Sequence, residues 1–202
     1  MTIGPDIKEV ILEVGDPITI LRDAGNVTGE YVKLTLNAQV TKPFIREFFM
    51  EGWFSYDSVS VAGDWIQLSD GRVFIIMNRT PKMFEGVVIR FNSVLYKTNA
   101  VATIQRQSVT REDYTSQSDW TTVKASAPIL LTEALYGNSL DIDEELGQIG
   151  MSENDLYIPS SVGIKPMDRV YISADEYYKV EAVRKRRFDS VDLATIGEDN
   201  RG

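Results

Sequence analysis

The chain of 202 residues contains no histidine and no cysteine. Without imidazole or thiol there is no Ser-His-Asp or Cys-His nucleophilic machinery, no thiolate or imidazole zinc site and no disulfide. Long apolar runs are missing as well. No stretch approaches the roughly eighteen apolar residues that a membrane span requires, and residues 1–15 lack the charged start and apolar stretch of a secretory leader. Basic charge is scarce: 21 Lys plus Arg stand against 30 Asp plus Glu, a formal net charge of −9. That balance argues against a surface that wraps DNA through phosphate contacts. Neither a Walker-type phosphate loop nor a G-x-S-x-G elbow is present. A carboxylate pair could still run a glycosidase, but nothing singles out two of the 30 acidic residues. The expectation is a non-enzymatic protein with no cofactor and no metal.

What is present is an ordinary globular composition, 43% hydrophobic and 25% charged, long enough for one large domain or two small ones. Gly4-Pro5-Asp6 leads into Ile7, Val10, Ile11 and Val14 at helical spacing and stops at Gly15, which predicts a short amphipathic helix. A strand over Glu9 to Val14 competes, because the run is β-branched. From Pro17 onward, short segments rich in Val, Ile, Thr, Tyr and Phe alternate with Gly, Asp and Asn, the mark of antiparallel strands. They are Ile18 to Leu21, Tyr31 to Val40, Asp64 to Leu68, Val73 to Met77, Val87 to Phe91 and Val94 to Lys97, then Leu156 to Ile158, Arg169 to Ile172, Tyr177 to Val183 and Val191 to Ile196. Asp70-Gly71 between two such segments is the strongest hairpin signal. The polar run Gln107 to Ser118 reads as a linker or long loop, and Gly137 to Asp155 as a second linker-like stretch.

The chain also matches itself. A shift of 104 residues lays Asp64 to Ile89 on Asp168 to Leu193 without a gap, with Asp64/Asp168, Ser69/Ser173, Phe84/Phe188 and Val87/Val191 identical. Two hairpins of similar period resemble each other by chance, as the shorter match of Tyr96–Val101 to Tyr178–Val183 shows. The long match carries turn positions as well as apolar ones, so two related β units in tandem are expected. The reading is a mainly β protein of two barrel-like or sandwich-like units: residues 1–106, a linker or loop at 107–118, and residues 119–202 with a three-stranded meander over 168–196. A short N-terminal helix and long loops complete it.

Several features invite a functional reading. Arg184-Lys185-Arg186-Arg187 is the most conspicuous charge feature of an acidic chain. Aligned on Thr80-Pro81-Lys82-Met83, beside Arg79, it falls at a hairpin tip, where it is either a solvated turn, a contact to an acidic neighbouring subunit or a contact to passing DNA. Arg79 and Lys82 join it as candidate partner contacts. Asp141-Ile142-Asp143-Glu144-Glu145 opens like a calcium loop, but Leu146 stands where Gly is needed and Ser152 where a bidentate Glu should sit, so a solvated acidic loop is the better reading. Trp53, Trp65, Trp120, Tyr114, Tyr136, Tyr171, Tyr177 and Tyr178 could form a sugar-stacking platform, though strand aromatics more often fill cores and interfaces.

The stretch Tyr157-Ile158-Pro159-Ser160-Ser161-Val162-Gly163-Ile164-Lys165-Pro166-Met167-Asp168-Arg169-Val170 is followed by Glu176-Tyr177-Tyr178-Lys179-Val180 and Val191-Asp192-Leu193. Over Tyr157 to Asp199 the chain resembles the head-completion and head-tail joining proteins of tailed bacteriophages. A weaker likeness covers Phe44 to Ile89, where Ala62-Gly63-Asp64-Trp65-Ile66 has the usual Gly before the Asp; Met167 stands in its place in the second copy. The resemblance implies a mainly β neck component, a homo-oligomeric ring of identical subunits between a portal or adaptor ring and the tail or tail terminator. Its site would be the virion, and the host cytoplasm during assembly. DNA would pass through the ring without specific binding, which an acidic lumen would favour, and no membrane is involved. The alternative is a glycan-binding β-domain of a receptor-binding or tail-tip protein.

Overall fold

A computed structural model describes residues 3–36, 48–112, 115–133, 154–173, 176–199 and 201, with side chains at all of these except 109–112, 115–118, 133 and 173. Helix α1 spans Ile3–Val14, with Pro5 and Asp6 in its first turn. The Gly15 amide closes it by donating to the Ile11 carbonyl at 2.8 Å. The competing strand loses because only the helix turns Ile11, 2% exposed, against the barrel while Val10 and Val14 stay outside.

Thirteen strands follow among the described residues. Strands β1 (Asp16–Leu21), β2 (Val27–Leu36), β3 (Phe49–Ser55), β4 (Trp65–Leu68), β5 (Val73–Ile76), β6 (Thr80–Phe84) and β7 (Val87–Lys97) run in the order β3-β2-β1-β4-β5-β7-β6, and β3 also pairs with β7. That last pairing closes a six-stranded antiparallel barrel. Its interior follows strand alternation: Ile18, Ile20, Val32, Phe54, Ile66, Leu68, Phe74, Ile76 and Leu95 form one core. The Asp70-Gly71 hairpin is as expected: Gly71 has φ +88°, and Trp65 pairs with Ile75 across the turn.

The second barrel comprises β8 (Ala100–Glu112), β9 (Thr115–Glu133), β10 (Asn154–Pro159), β11 (Arg169–Ser173), β12 (Glu176–Arg184) and β13 (Val191–Glu198), closed in the order β10-β13-β12-β11-β8-β9. The expected boundaries need correction here. Of the stretch 107–118 expected as a linker or long loop, residues 107–112 and 115–118 lie in β8 and β9, paired from Gln107↔Trp120 to Glu112↔Thr115. A polar composition does not break a strand that is paired through its backbone. The change of barrel instead falls at Thr98-Asn99, so residues 100–106 belong to the second unit. Val87 to Phe91 and Val94 to Lys97 are one continuous strand, β7. Of the second linker-like stretch, residues 137–153 lie outside the described residues.

The duplication is real and extends to register. Leu21 pairs with Trp65 as Gln105 pairs with Arg169, and Lys33 pairs with Trp53 as Leu130 pairs with Tyr157. The Gly63 amide donates to Ile76 and the Ile76 amide to Asp64, as the Met167 amide donates to Val180 and the Val180 amide to Asp168. The 104-residue shift holds to this point and then fails. Ile76 faces Leu95 whereas Val180 faces Ile196, so the closing strands correspond at a shift of 101. The reason is local. In the first unit the second strand breaks at Met77-Asn78-Arg79 and resumes as β6 along β7; in the second unit β12 runs unbroken. Thr80 to Met83 is therefore strand, not hairpin tip, and the tip lies at Glu85-Gly86.

Candidate functional site

Each barrel carries the same internal latch. Asp64, 7% exposed, accepts from Arg22 Nε (2.8 Å), Arg22 Nη2 (2.5 Å) and the Val61 amide (2.8 Å), while Arg22 Nη2 also donates to the Val59 carbonyl. Asp168, 1% exposed, accepts from Arg106 Nε, Arg106 Nη2 and the Lys165 amide, all at 2.8 Å, while Arg106 Nη2 donates to the Gly163 carbonyl at 2.9 Å. A bidentate guanidinium thus ties the strand that opens each barrel to the loop before its fourth strand. Hydrogen bonding to the aspartates holds both arginines above the ordinary value against the opposing effect of burial. The repeated Asp was legible in the sequence; its arginine partners, on strands that show no sequence match, were not.

The barrels are joined by an apolar seam. Trp65, Ile75 and Met77, on the outside of the first barrel, belong to the core cluster of the second. The Trp65 indole donates to the Pro128 carbonyl at 2.8 Å, and Tyr96 meets Tyr157 edge-on at 5.3 Å between centroids. Burial pushes both tyrosine hydroxyls above their usual range. At one end Gly63, with φ +87°, lies so close to the second barrel that a Cβ there would sit 2.6 Å from the Ser190 carbonyl oxygen.

The expected contact residues do not form one patch. Arg184 ends β12 and Lys185, Arg186 and Arg187 form the turn before β13; all four are exposed, with Arg187 over the Phe188 ring at 5.8 Å. Lys82 is exposed on β6. Arg79 is something else: its guanidinium lies 3.5 Å from the Phe91 ring centroid, donates to the Ser58 carbonyl, and has a buried Nε without a partner. Burial lowers its pKa from the ordinary value, and it acts as packing, not as a free cation.

No open stacking platform forms among the described aromatics. Trp65 is buried in the seam, Arg90 lies over Trp53 at 3.6 Å, and Arg169 and Arg201 lie over Trp120 at 3.9 and 5.2 Å. Tyr171 and Tyr177 stack on each other at 5.0 Å. Tyr114, Tyr136 and the acidic loop at 141–152 lie outside the described residues. Among the described residues no group of three acidic side chains could hold a metal ion.

Two features went unread in the sequence. On the outer face of β2, β3 and β7, Lys33 and Arg90 flank Trp53, with Lys33 Nζ at 5.3 Å from its ring; Arg90 Nε and Asn92 Oδ1 are buried without a hydrogen-bond partner. Burial lowers the Arg90 pKa from its usual value. Beside this face, Ile3, Pro5, Tyr56, Phe84 and Val87 line an apolar groove of about 370 Å³. At the other end of the molecule Asp199 accepts from Arg169 Nε (2.8 Å) and Arg201 Nε (2.7 Å), pinning the C-terminal segment to the second barrel. Strand alternation could have placed Lys33, Trp53 and Arg90 outside, but only the pairings Lys33↔Trp53 and Ser55↔Arg90 bring them together. No protein-family model, no curated protein and no solved structure matches the chain.

Proposed function

We propose that this chain is a non-enzymatic structural connector of a tailed-phage neck, assembling with identical copies into a ring between portal and tail that completes or seals the DNA-filled head. The observation that carries an assembly role is the β8–β9 arm. Pairing of β8 with β11 ends at Gln105, yet its ladder with β9 runs on to Glu112↔Thr115. A two-stranded ribbon is marginal by itself in water, and edges unpaired among the described residues suit docking against another chain. The neck assignment rests on the likeness over Tyr157 to Asp199.

The exposed cations Arg184 to Arg187 suit an acidic neighbouring subunit, and the net charge of −9 suits a lumen through which DNA slides. The test is native mass spectrometry and negative-stain microscopy of the purified chain, alone and with its cognate portal, for wild type and for a variant with residues 108–119 replaced by a two-residue turn. Rings for wild type, and loss of portal or tail attachment by a variant that still melts cooperatively, are expected. A chain that stays monomeric with and without portal, or a ring whose lumen is lined by Arg184 to Arg187, refutes the reading.

A further inference from the structure

The seam between the two barrels uses different faces on its two sides. The first barrel contributes the outside of β4, β5 and β7, and the second contributes the outside of β9, β10 and β13, with Trp65 against Pro128, Tyr96 against Tyr157 and Gly63 against Ser190. Because the barrels are duplicates, each face used once in the chain has a twin that neither barrel covers among the described residues. The twin of the Tyr157 face is the Trp53 face of the first barrel. The twin of the Tyr96 face is the outside of β11, β12 and β13 on the second barrel.

We infer that these open twins bind each other between copies, so that the second barrel of one chain docks on the first barrel of the next in the manner of the seam within the chain. The inference rests on the ring reading and names its interface. A contact between unlike faces is heterologous, and repetition closes it into a ring or extends it as a filament.

Side chains at the twin positions pair apolar with apolar and anion with cation. Within the chain a glycine, Gly63, abuts Ser190, the left-handed residue just before β13. In the twin contact Gly63 becomes Met167, 57% exposed with φ +73°, and Ser190 becomes Ile89, which lines the apolar groove with Phe84 and Val87. An exposed methionine thus meets an apolar position, and the groove adjoins the place where the Met167 thioether arrives. Further along, Tyr96 becomes Gly197, and the space over Gly197 is filled by Glu181, whose Oε1 would lie 2.9 Å from a Cβ there. Tyr157 becomes Trp53, carrying Arg90 and Lys33. The Glu181 carboxylate, 3.8 Å from Lys179 and 42% exposed, then faces the two cations. Trp120 and Arg201 cover Arg169, which leaves Met167, Tyr177 and Glu181 as the open part of that face.

The chain has no cysteine, so cross-linking is free of background. A full-length chain carrying Met167→Cys and Val87→Cys, treated with a short bis-maleimide, is expected to give a ladder of dimers, trimers and higher species, whereas either single variant gives none. In sedimentation velocity, Arg90→Glu or Glu181→Arg weakens self-association about tenfold or more, and the double reversal restores it. Lys33→Glu substitutes if Arg90→Glu unfolds its barrel. No ladder at any concentration, or no rescue by the double reversal, overturns the inference; rings that form regardless would keep the connector reading. A ladder with rescue whose polymers never close and never engage a portal would keep this interface and sink the connector reading.

Discussion

Removing the Asp168 carboxylate probes what holds a barrel shut. The side chain is 2% exposed and takes three hydrogen bonds at 2.8 Å, two from Arg106 and one from the Lys165 amide. Asp168→Ala leaves a guanidinium with one remaining acceptor, the Gly163 carbonyl, and an amide with none. Breaking a buried pair from one side costs about 3–5 kcal/mol, and Arg106, 35% exposed, recovers part of that by hydration, which points to about 3 kcal/mol. For a chain of this size that is a fall in Tm of roughly 6–12 °C. Urea unfolding followed by tryptophan fluorescence measures it directly. Asp64→Ala in the first barrel should cost slightly less, because its carboxylate is 8% exposed, while its partner Arg22 at 32% is as accessible as Arg106. A loss under about 1 kcal/mol at Asp168, or a several-fold disparity between two latches of matching geometry, would refute the argument.

Two further outcomes follow from other parts of the molecule. Gly63→Ala places a Cβ 2.6 Å from the Ser190 oxygen and 2.9 Å from its Cβ at φ +87°, so it should destabilise by about 2 kcal/mol or more, whereas Gly71→Ala, with open space around it, should lose only about 1 kcal/mol for its backbone conformation; equal losses in thermal melts would contradict the close approach of the barrels. Burial pushes the Asp199 carboxyl up, but hydrogen bonds from Arg201 and Arg169 outweigh it and hold the pKa at about 2. The folded value lies below the ordinary one, so this stability is complete above about pH 4 and is lost as pH falls towards 2. After allowance for solvent screening it amounts to about 1 kcal/mol, and Asp199→Asn should flatten that part of the stability profile between pH 4 and 2. An unchanged profile would rule the latch out.

Much of this fold was legible because β structure writes its period locally. Asp70-Gly71, the segments on either side and the repeated Asp-hydrophobic strand all depend on neighbours in sequence, and all were read correctly. Three kinds of feature escaped. Gln107 to Ser118 reads as a linker because its polar sequence lacks the apolar alternation that a barrel wall shows, although 107–112 and 115–118 pair as strands. The break within β7 was read from Asn92-Ser93, but Ser93 faces the barrel interior, 3% exposed with its Oγ unpaired, and the strand continues through it. The latches escaped because Arg22 and Asp64 are 42 residues apart and Arg106 and Asp168 are 62 apart, pairs that only barrel closure brings together. Of the candidate contacts, Arg184 to Arg187 are exposed at the turn before β13 and Arg79 is packed on Phe91, while the Trp53 face carries no local signal in the sequence.

The divergence of the two units can be read as a division of labour between one permanent contact and one open face. Positions matched by register carry Tyr157 and Trp53, Val191 and Arg90, Leu130 and Lys33; in the second barrel Val191 and Leu130 are buried and Tyr157 is partly buried, while Trp53, Arg90 and Lys33 stand on the first barrel's outer wall. Burying Val191 and Leu130, each 0% exposed, gains about 1.5–3 kcal/mol apiece, which suits a seam that never opens. Arginine and lysine at the same places would make such a seam costly, because each would need a carboxylate partner once out of water. The same pair of cations around an indole is well suited to a contact made on demand, since the surface stays solvated until a complementary carboxylate arrives. A duplicated barrel whose one copy had merely lost its partner would be expected to keep apolar residues or to scatter polar ones. Here the cations are gathered on the one ring that the twin position preserves as aromatic, the arrangement that the proposed contact between copies would use.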